Sequence, residues 1–283
     1  MKPSTYHFGL TGYPLGHSLS PKIHAAALES CGLEGGYSLF PIPPNDLPSL
    51  QDLLNRVRSG ELNGLNVTIP HKQAVISHLD DLTPSARSIG AVNTIFVKEG
   101  QLIGHNTDAP GFLADIQRCF SSFIIPHSAL VLGAGGAARA VVSALLSDGW
   151  QVTLGVRPAD VEQAEGLIHS FDQDGLRRSV FMTAEELAPF LSGTSLVVNA
   201  TPLGMSPEIG ACPWPEGLGF PPEASVYDCV YNPRETLLVK RARAAGRSAS
   251  TGLGMLVEQA ALAFEIWTGH NPPREVLFAA VGE

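Results

Sequence analysis

Apolar residues in this chain fall into short runs, and the stretches between the runs repeat at helical spacing. HFGLTG reads as a first strand. SPKIHAAALESCGL then reads as a helix, with Ser20 as its N-cap and Pro21 in its first turn. GYSLFPI is a second strand, and NDLPSLQDLLNRVRSG a helix ending at Gly60. GLNVTI is a third strand, followed by a short helix in QAVISHL. AVNTIFVKEGQLIGHNTD reads as a hairpin with its turn near Glu99–Gly100. APGFLADIQRCF is helical, and SFIIPHS (122–128) breaks the pattern.

ALVLGAGGAARAVVSALLSDGWQVTLGVRP follows as strand, glycine turn, helix and strand, a complete βαβ unit. SLVVNAT and SVYDCVYN are later strands, and TLLVKRARAAG is a helix leading to a short strand in RSAST. The chain closes with helices in GMLVEQAALAFEIWTG and PREVLFAAV. SPEIGACPWPEGLGFPPEAS, rich in Pro and Gly, reads as a surface connection. Repeated βα units predict an α/β protein with a parallel sheet at the core of each half.

Composition narrows the function. The chain has 283 residues, enough for about two domains. It is 44% hydrophobic, 16% charged and carries a net charge of −9, so it is neither a disordered segment nor a coiled coil. Its longest basic cluster is Lys240–Arg243, read as a solvated helix face, so neither nucleic acid nor an anionic membrane is an expected partner. The cysteines at 31, 119, 212 and 229 are scattered, as expected of thiols in a reducing cytoplasm. The histidines form no ligand spacing with Cys or carboxylates, so no metal is expected. Neither a signal peptide nor a membrane span is expected.

Candidate chemistry sits at strand ends. The run Leu65, Val67, Ile69 is stopped by Pro70, and Lys72 follows at once. Uncharged polar groups gather in nearby loops: Ser18, Ser20, Asn66, Thr68, Asn93, Thr94, Asn106 and Thr107. A ring of hydroxyls and amides there suits a small ligand bearing several hydroxyls, because doubly wound sheets bind ligands outside the carboxyl ends of their strands. Each also has an ordinary reading: Ser20 as a helix cap, Asn93 serving the hairpin, Thr68 as a good strand residue. Lys72 and Asp108 are the one pair of opposite charge among these loop ends. They could form a surface ion pair of little energetic worth. They could equally be a proton-transfer pair, the carboxylate fixing the amine.

Gly133, Ala134, Gly135, Gly136, Ala137 and Ala138 follow a strand and open a helix, in the G-x-G-x-x-A pattern. The pattern fits a dinucleotide: a tight turn, a close backbone approach to the pyrophosphate, and free N–H groups at the helix start. The next strand ends in Arg157 rather than an acid, which suits the 2′-phosphate of NADP, though Asp160 lies close by.

GYPLGHSLSPKIH, GLNVTIPHK, IGAVNTI, GHNTDAPGF, GAGGAARA, NATPLGM, YDCVYNP and GLGMLVEQA, in this order, resemble the shikimate dehydrogenase family. The resemblance runs from about Gly9 to Gly269. It implies two α/β domains with a cleft between them, residues 1–107 with 253–283 binding shikimate and residues 108–252 forming a Rossmann domain for NADP. The implied reaction is the reversible reduction of 3-dehydroshikimate to shikimate, a step toward aromatic amino acids. By resemblance, Lys72 is the catalytic lysine and Asp108 its partner. Ser18 and Ser20 match the carboxylate-binding serines. Thr68, Asn93, Asp108, Tyr231 and Gln259 match groups that hold the ring hydroxyls and carboxylate. Gly133 to Ala137 match the pyrophosphate turn, and Thr201, Cys229 and Gly252 match contacts near the nicotinamide. Many family members read Asn-Arg-Thr after the second Rossmann strand, with a further base downstream. Here only the Arg is kept, as Val156-Arg157-Pro158, which leaves a thinner clamp on the 2′-phosphate. A quinate/shikimate or aminoshikimate dehydrogenase, using NAD or NADP, shares the same motifs and stands as the alternative. A homodimer is among the expected assemblies.

Overall fold

The alternating pattern resolves, in the computed structural model, into twelve strands and eleven helices among the residues it describes, which are 5–120, 127–171 and 176–282. Most of SFIIPHS lies outside them. The chain divides into two compact units, one of Met1–Gly111 with Leu256–Glu283, the other of Phe112–Met255.

The first unit holds β1 (Tyr6–Gly12), α1 (Ser20–Ser30), β2 (Gly35–Pro41), α2 (Leu47–Arg58), β3 (Gly64–Val67), α3 (His71–Ala74), β4 (Asp81–Leu82), α4 (Pro84–Ile89), β5 (Thr94–Lys98) and β6 (Gln101–His105). Its sheet runs β2-β1-β3-β5-β6-β4. Only β5 runs against the others: it pairs antiparallel with β3 and with β6, while the remaining pairs are parallel. The expected hairpin is β5–β6, and Glu99 and Gly100 turn it with φ of 53° and 78°. Helix α2 presents Leu50, Leu53, Leu54 and Val57, one face at helical spacing, to Leu65, Val67, Ile95 and Leu102 of the sheet. Each such leucine contributes about 1.5–3 kcal/mol by leaving water. Asp46 starts this helix by accepting from Ser49 N at 3.2 Å.

Helix α5 (Asp108–Cys119) begins in the first unit and ends in the second. The second unit contains β7 (Ser128–Leu132), α6 (Gly136–Ser147), β8 (Gln151–Val156), α7 (Val161–Ser170), β9 (Leu176–Phe181), α8 (Ala184–Leu187), β10 (Leu196–Asn199), β11 (Ser225–Asp228), α9 (Leu237–Ala244) and β12 (Ala249–Thr251). Its sheet is parallel throughout, in the order β12-β11-β10-β7-β8-β9. Counted from β7 this is the 3-2-1-4-5-6 winding of a Rossmann sheet, with its switch point between β7 and β10. Helix α10 (Leu253–Thr268) then returns the chain to the first unit, where α11 (Arg274–Ala280) ends it. There Trp267 Nε1 donates to Ile95 O at 3.1 Å, and its ring fills the space left by the missing Cβ of Gly64.

Four expectations change. Ser20 is the first residue of α1 rather than its cap; Leu19 takes the cap position, and its side chain makes no capping bond. Strand β3 stops at Val67, so Ile69 leaves the ladder and is 49% exposed. The 206–225 connection is not all surface, because Trp214 is buried in the core and stacks on Phe220 at 4.9 Å. Within Lys240–Arg243, Arg241 is not a solvated residue. Its guanidinium donates to the carbonyls of Trp214 and Pro215, both at 3.0 Å, and ties that loop to α9.

Candidate active site

The carboxyl ends of β1, β3 and β6 lie at one edge of the first sheet. Because β5 runs the other way, the residue before it, Asn93, arrives at that same edge. Lys72 is placed by the turn after β3. His71 N donates to Thr68 O at 2.9 Å, and Lys72 O accepts from Val92 N at 2.8 Å. The buried His71 ring is fixed against Ile42 O at 2.7 Å. Asp108 is the first residue of α5. Asn106, two residues earlier, accepts from the N–H groups of Asp108 and Ala109 at 3.0 and 3.2 Å and so caps that helix.

Lys72 Nζ donates to Asp108 Oδ2 at 2.6 Å. The pair is not the exposed ion pair that sequence left open: the two side chains are 16% and 6% exposed. Asp108 Oδ1 accepts from Asn93 Nδ2 at 2.9 Å. The same amide group donates to Thr107 Oγ1 at 2.9 Å and Gln259 Oε1 at 3.2 Å. Asn93 Oδ1 accepts from Thr107 N at 2.8 Å and Thr94 Oγ1 at 3.0 Å. Asn93 is therefore the centre of the cluster, tying β5, β6, α5 and α10 together.

Of the predicted substrate residues, Lys72, Asp108, Asn93 and Gln259 are thus joined by direct hydrogen bonds. Ser18 and Ser20 stand together at the start of α1, where Ser18 Oγ accepts from Ser20 N at 3.3 Å. Thr68 is held by its backbone, its N donating to Thr11 O at 2.8 Å, with a partly exposed side chain. Tyr231 belongs to the other unit. The structure adds Tyr37, whose hydroxyl donates to Asn66 Oδ1 at 2.8 Å, while Asn66 Nδ2 reaches Asn93 O at 3.1 Å. A tyrosine on an edge strand gives no sequence hint of that part, and Asn106 reads from sequence only as one of the polar loop groups, not as a helix cap.

In the second unit the glycine turn divides by cause. Gly133 has φ +111°, and a Cβ there would come within 3.0 Å of Thr201 Cγ2 and 3.1 Å of Ala200 O, so the fold itself demands glycine. A Cβ at Gly135 would meet nothing within 4 Å. Packing does not require glycine at 135, whereas a phosphate approaching the backbone would. Gly136 and Ala137 open α6, with Ala138 fully buried behind them. These features fit a dinucleotide. Arg157 follows β8 and forms an ion pair with Asp160, Nε to Oδ2 at 2.6 Å.

Thr201 and Cys229 follow β10 and β11, and a buried clasp joins their loops. Asn199 Oδ1 accepts from Thr201 N and Oγ1 at 2.9 and 2.7 Å, and Asn199 Nδ2 donates to Asp228 Oδ1 at 2.8 Å. Asp228 also accepts from Val230 N at 3.0 Å and Thr236 Oγ1 at 2.6 Å. Burial pushes its pKa up to about 6, against the opposing pull of Thr236, the Val230 amide and Asn199. The Cys229 carbonyl fills the position a Cβ would take at Gly252. Sequence reading missed Asn199 and Asp228, although both stand at strand ends in NAT and YDC. Among the described residues no group of three or more His, Cys, Asp or Glu could hold a metal, and no helix is long and apolar enough to cross a membrane.

Comparison with known proteins bears on both units. A family profile described as the shikimate dehydrogenase substrate binding domain matches residues 10–95. One described as the shikimate 5′-dehydrogenase C-terminal domain matches residues 252–281. The NADP(+) shikimate dehydrogenase of Salinibacter ruber is 43% identical over 277 residues, 96% of this chain and 95% of that protein. The crystal structure of shikimate 5-dehydrogenase from Thermus thermophilus in complex with NADP(H) and shikimate superposes with a TM-score of 0.83 at 40% identity, covering 97% of this chain and 98% of that one. That of shikimate 5-dehydrogenase from Listeria monocytogenes, in complex with shikimate and NAD, gives 0.85 at 32% identity, with 99% and 98% covered.

Proposed function

The chain belongs to the shikimate dehydrogenase family, and on that premise we propose that it catalyses the reversible NADP-dependent reduction of 3-dehydroshikimate to shikimate. The observation that carries the reading is the Lys72–Asp108 pair, 2.6 Å apart, little exposed, and held in place by Asn93. NADPH, when bound, supplies the hydride that reduces the substrate ketone. Gly133 to Ala137 and the N-terminus of α6 would hold its pyrophosphate, and Arg157 its 2′-phosphate. Thr201, Cys229 and Gly252 are the groups proposed to line the nicotinamide.

As the ketone is reduced, negative charge builds on its oxygen. Lys72 Nζ stabilises that charge and donates the proton; in the reverse direction it takes the proton back. Asp108 orients the amine through Oδ2 and accepts from a ring hydroxyl of the substrate. Asn93 fixes the other carboxylate oxygen, so the Asp108 side chain cannot turn away from Lys72. Ser18 and Ser20 take the substrate carboxylate, and Thr68, Gln259 and Tyr231 its remaining polar groups. The cytoplasm and a homodimer belong to the same proposal, and light scattering showing only a monomer mass would remove the dimer.

The test is absorbance at 340 nm with purified protein, shikimate or quinate, and NADP⁺ or NAD⁺. Shikimate with NADP⁺ should give the highest kcat/KM. A higher value for quinate with NAD⁺ would assign the chain to the quinate-using branch instead.

A further inference from the structure

Strand β8 ends at Val156, and Arg157 follows with extended backbone, φ −80° and ψ 155°. A single 3-10 turn, Pro158–Asp160, then leads into α7. Residues three apart eclipse one another in such a turn, which returns Asp160 to Arg157. Asp160 N donates to Arg157 O at 2.9 Å. Asp160 also occupies the N-cap position of α7, where an aspartate ordinarily accepts from an N–H of the first helical turn. It makes no such bond. Both carboxylate oxygens go to the arginine instead: Nε to Oδ2 at 2.6 Å and Nη2 to Oδ1 at 3.1 Å. The arginine side chain is 52% exposed, and it lines a hollow of about 240 Å³ together with Val156, Met182, Thr183, Leu203 and Pro215.

We infer that Asp160 is a specificity-determining residue for the cofactor, a built-in counter-anion that competes with the 2′-phosphate of NADP for Arg157. This rests on the NADP reading above. A 2′-phosphate arriving at the end of β8 meets a guanidinium whose side-on edge, Nε with Nη2, is already filled by a carboxylate. It must displace Asp160 from that edge or take the end-on edge beside a like charge, and both cost affinity. NAD carries no 2′-phosphate and meets no such conflict. Residues 156–162 supply no second base: they hold one arginine and two acids, Asp160 and Glu162. Asp160 thus narrows the gap between NADP and NAD relative to an arginine with no carboxylate on it.

Calorimetric titration of the intact protein with NADP⁺ and with NAD⁺, at one fixed ionic strength, tests this. Asp160→Asn keeps a side chain able to cap α7. It should tighten NADP⁺ about tenfold and leave NAD⁺ within about twofold. Arg157→Gln should weaken NADP⁺ about tenfold, and Asp160→Asn added to it should have no further effect. The inference fails if Asp160→Asn leaves NADP⁺ binding unchanged or weaker, or tightens NAD⁺ equally. Wild-type protein that binds neither dinucleotide overturns the NADP reading and this inference with it. Wild-type binding of NADP⁺ with an inert Asp160→Asn overturns the inference alone.

Discussion

Lys72 is held at both ends. Its backbone carbonyl is bonded to Val92 N and its amine to Asp108, so the side chain is positioned before any substrate arrives. Lys72→Ala removes the proposed proton donor and leaves Asp108 with Asn93 as its remaining side-chain donor. Turnover should fall about 10²-fold or more, with a smaller change in KM for shikimate. Steady-state kinetics check this, with a melting curve to confirm folding; equal loss through KM alone would remove the chemical role. From the residues alone Lys72 and Asp108 could have been a surface ion pair or a proton-transfer pair, and it was the resemblance of the surrounding motifs that singled them out. The partner network was not legible, because hydrogen bonds such as Tyr37 to Asn66 join residues 29 apart, which no local pattern records.

Among the elements, the turn between β3 and α3 depends on close packing. A Cβ on Gly12, at the end of β1, would overlap Thr68 Cγ2 and lie 2.8 Å from Ile69 O. Gly12→Ala therefore has to push the 68–72 turn aside and Lys72 with it. It should cost about 1–3 kcal/mol of stability, read from urea unfolding, together with most of the activity. A variant as stable and active as wild type would show that the turn has slack. Strong elements such as α2 and the β7–α6–β8 unit could be read from sequence: α2 repeats one buried face at helical spacing, while β7 and β8 are continuous buried runs set off by the glycine turn. Strand β4 and helix α4, which have only two and six residues, could not, because so short a segment shows no period. The 206–225 segment misled for a different reason: its Pro and Gly content resembles a surface loop, yet Trp214 buries itself by donating from Nε1 to Leu218 O at 3.0 Å.

At the scale of the whole molecule, two buried titratable groups respond to acid in opposite senses. His24 stacks on Tyr37 with ring centroids 4.2 Å apart. Its burial lowers its pKa from 6.5 to about 3, with Asn66 only partly opposing. The fold holds it neutral while the unfolded chain protonates it. Its contribution is therefore full above pH 6.5 and is lost as pH falls toward 3, about 2 kcal/mol of it between pH 6.5 and 5. Asp228 behaves inversely: its folded pKa, about 6, exceeds the ordinary 3.8, so its contribution is full below 3.8 and fades as pH rises through 6. Acid should therefore loosen the first unit while sparing the second. Hydrogen exchange at pH 5 and pH 7 should show faster opening around α1 and β2 at the lower pH, with β10 and β11 unchanged or slower. His24→Phe should flatten that acid response; β10–β11 opening first in wild type would contradict the assignment.

The reversed strand β5 has one more use. Because it delivers Asn93 to the site by its starting end, the hairpin tip at Glu99–Gly100 lies at the opposite edge of the sheet, roughly 17 Å away at about 3.4 Å per residue. Both tip residues are exposed. A fluorophore or an affinity peptide spliced in there would report on the enzyme without touching its chemistry, so the backward strand doubles as a handle.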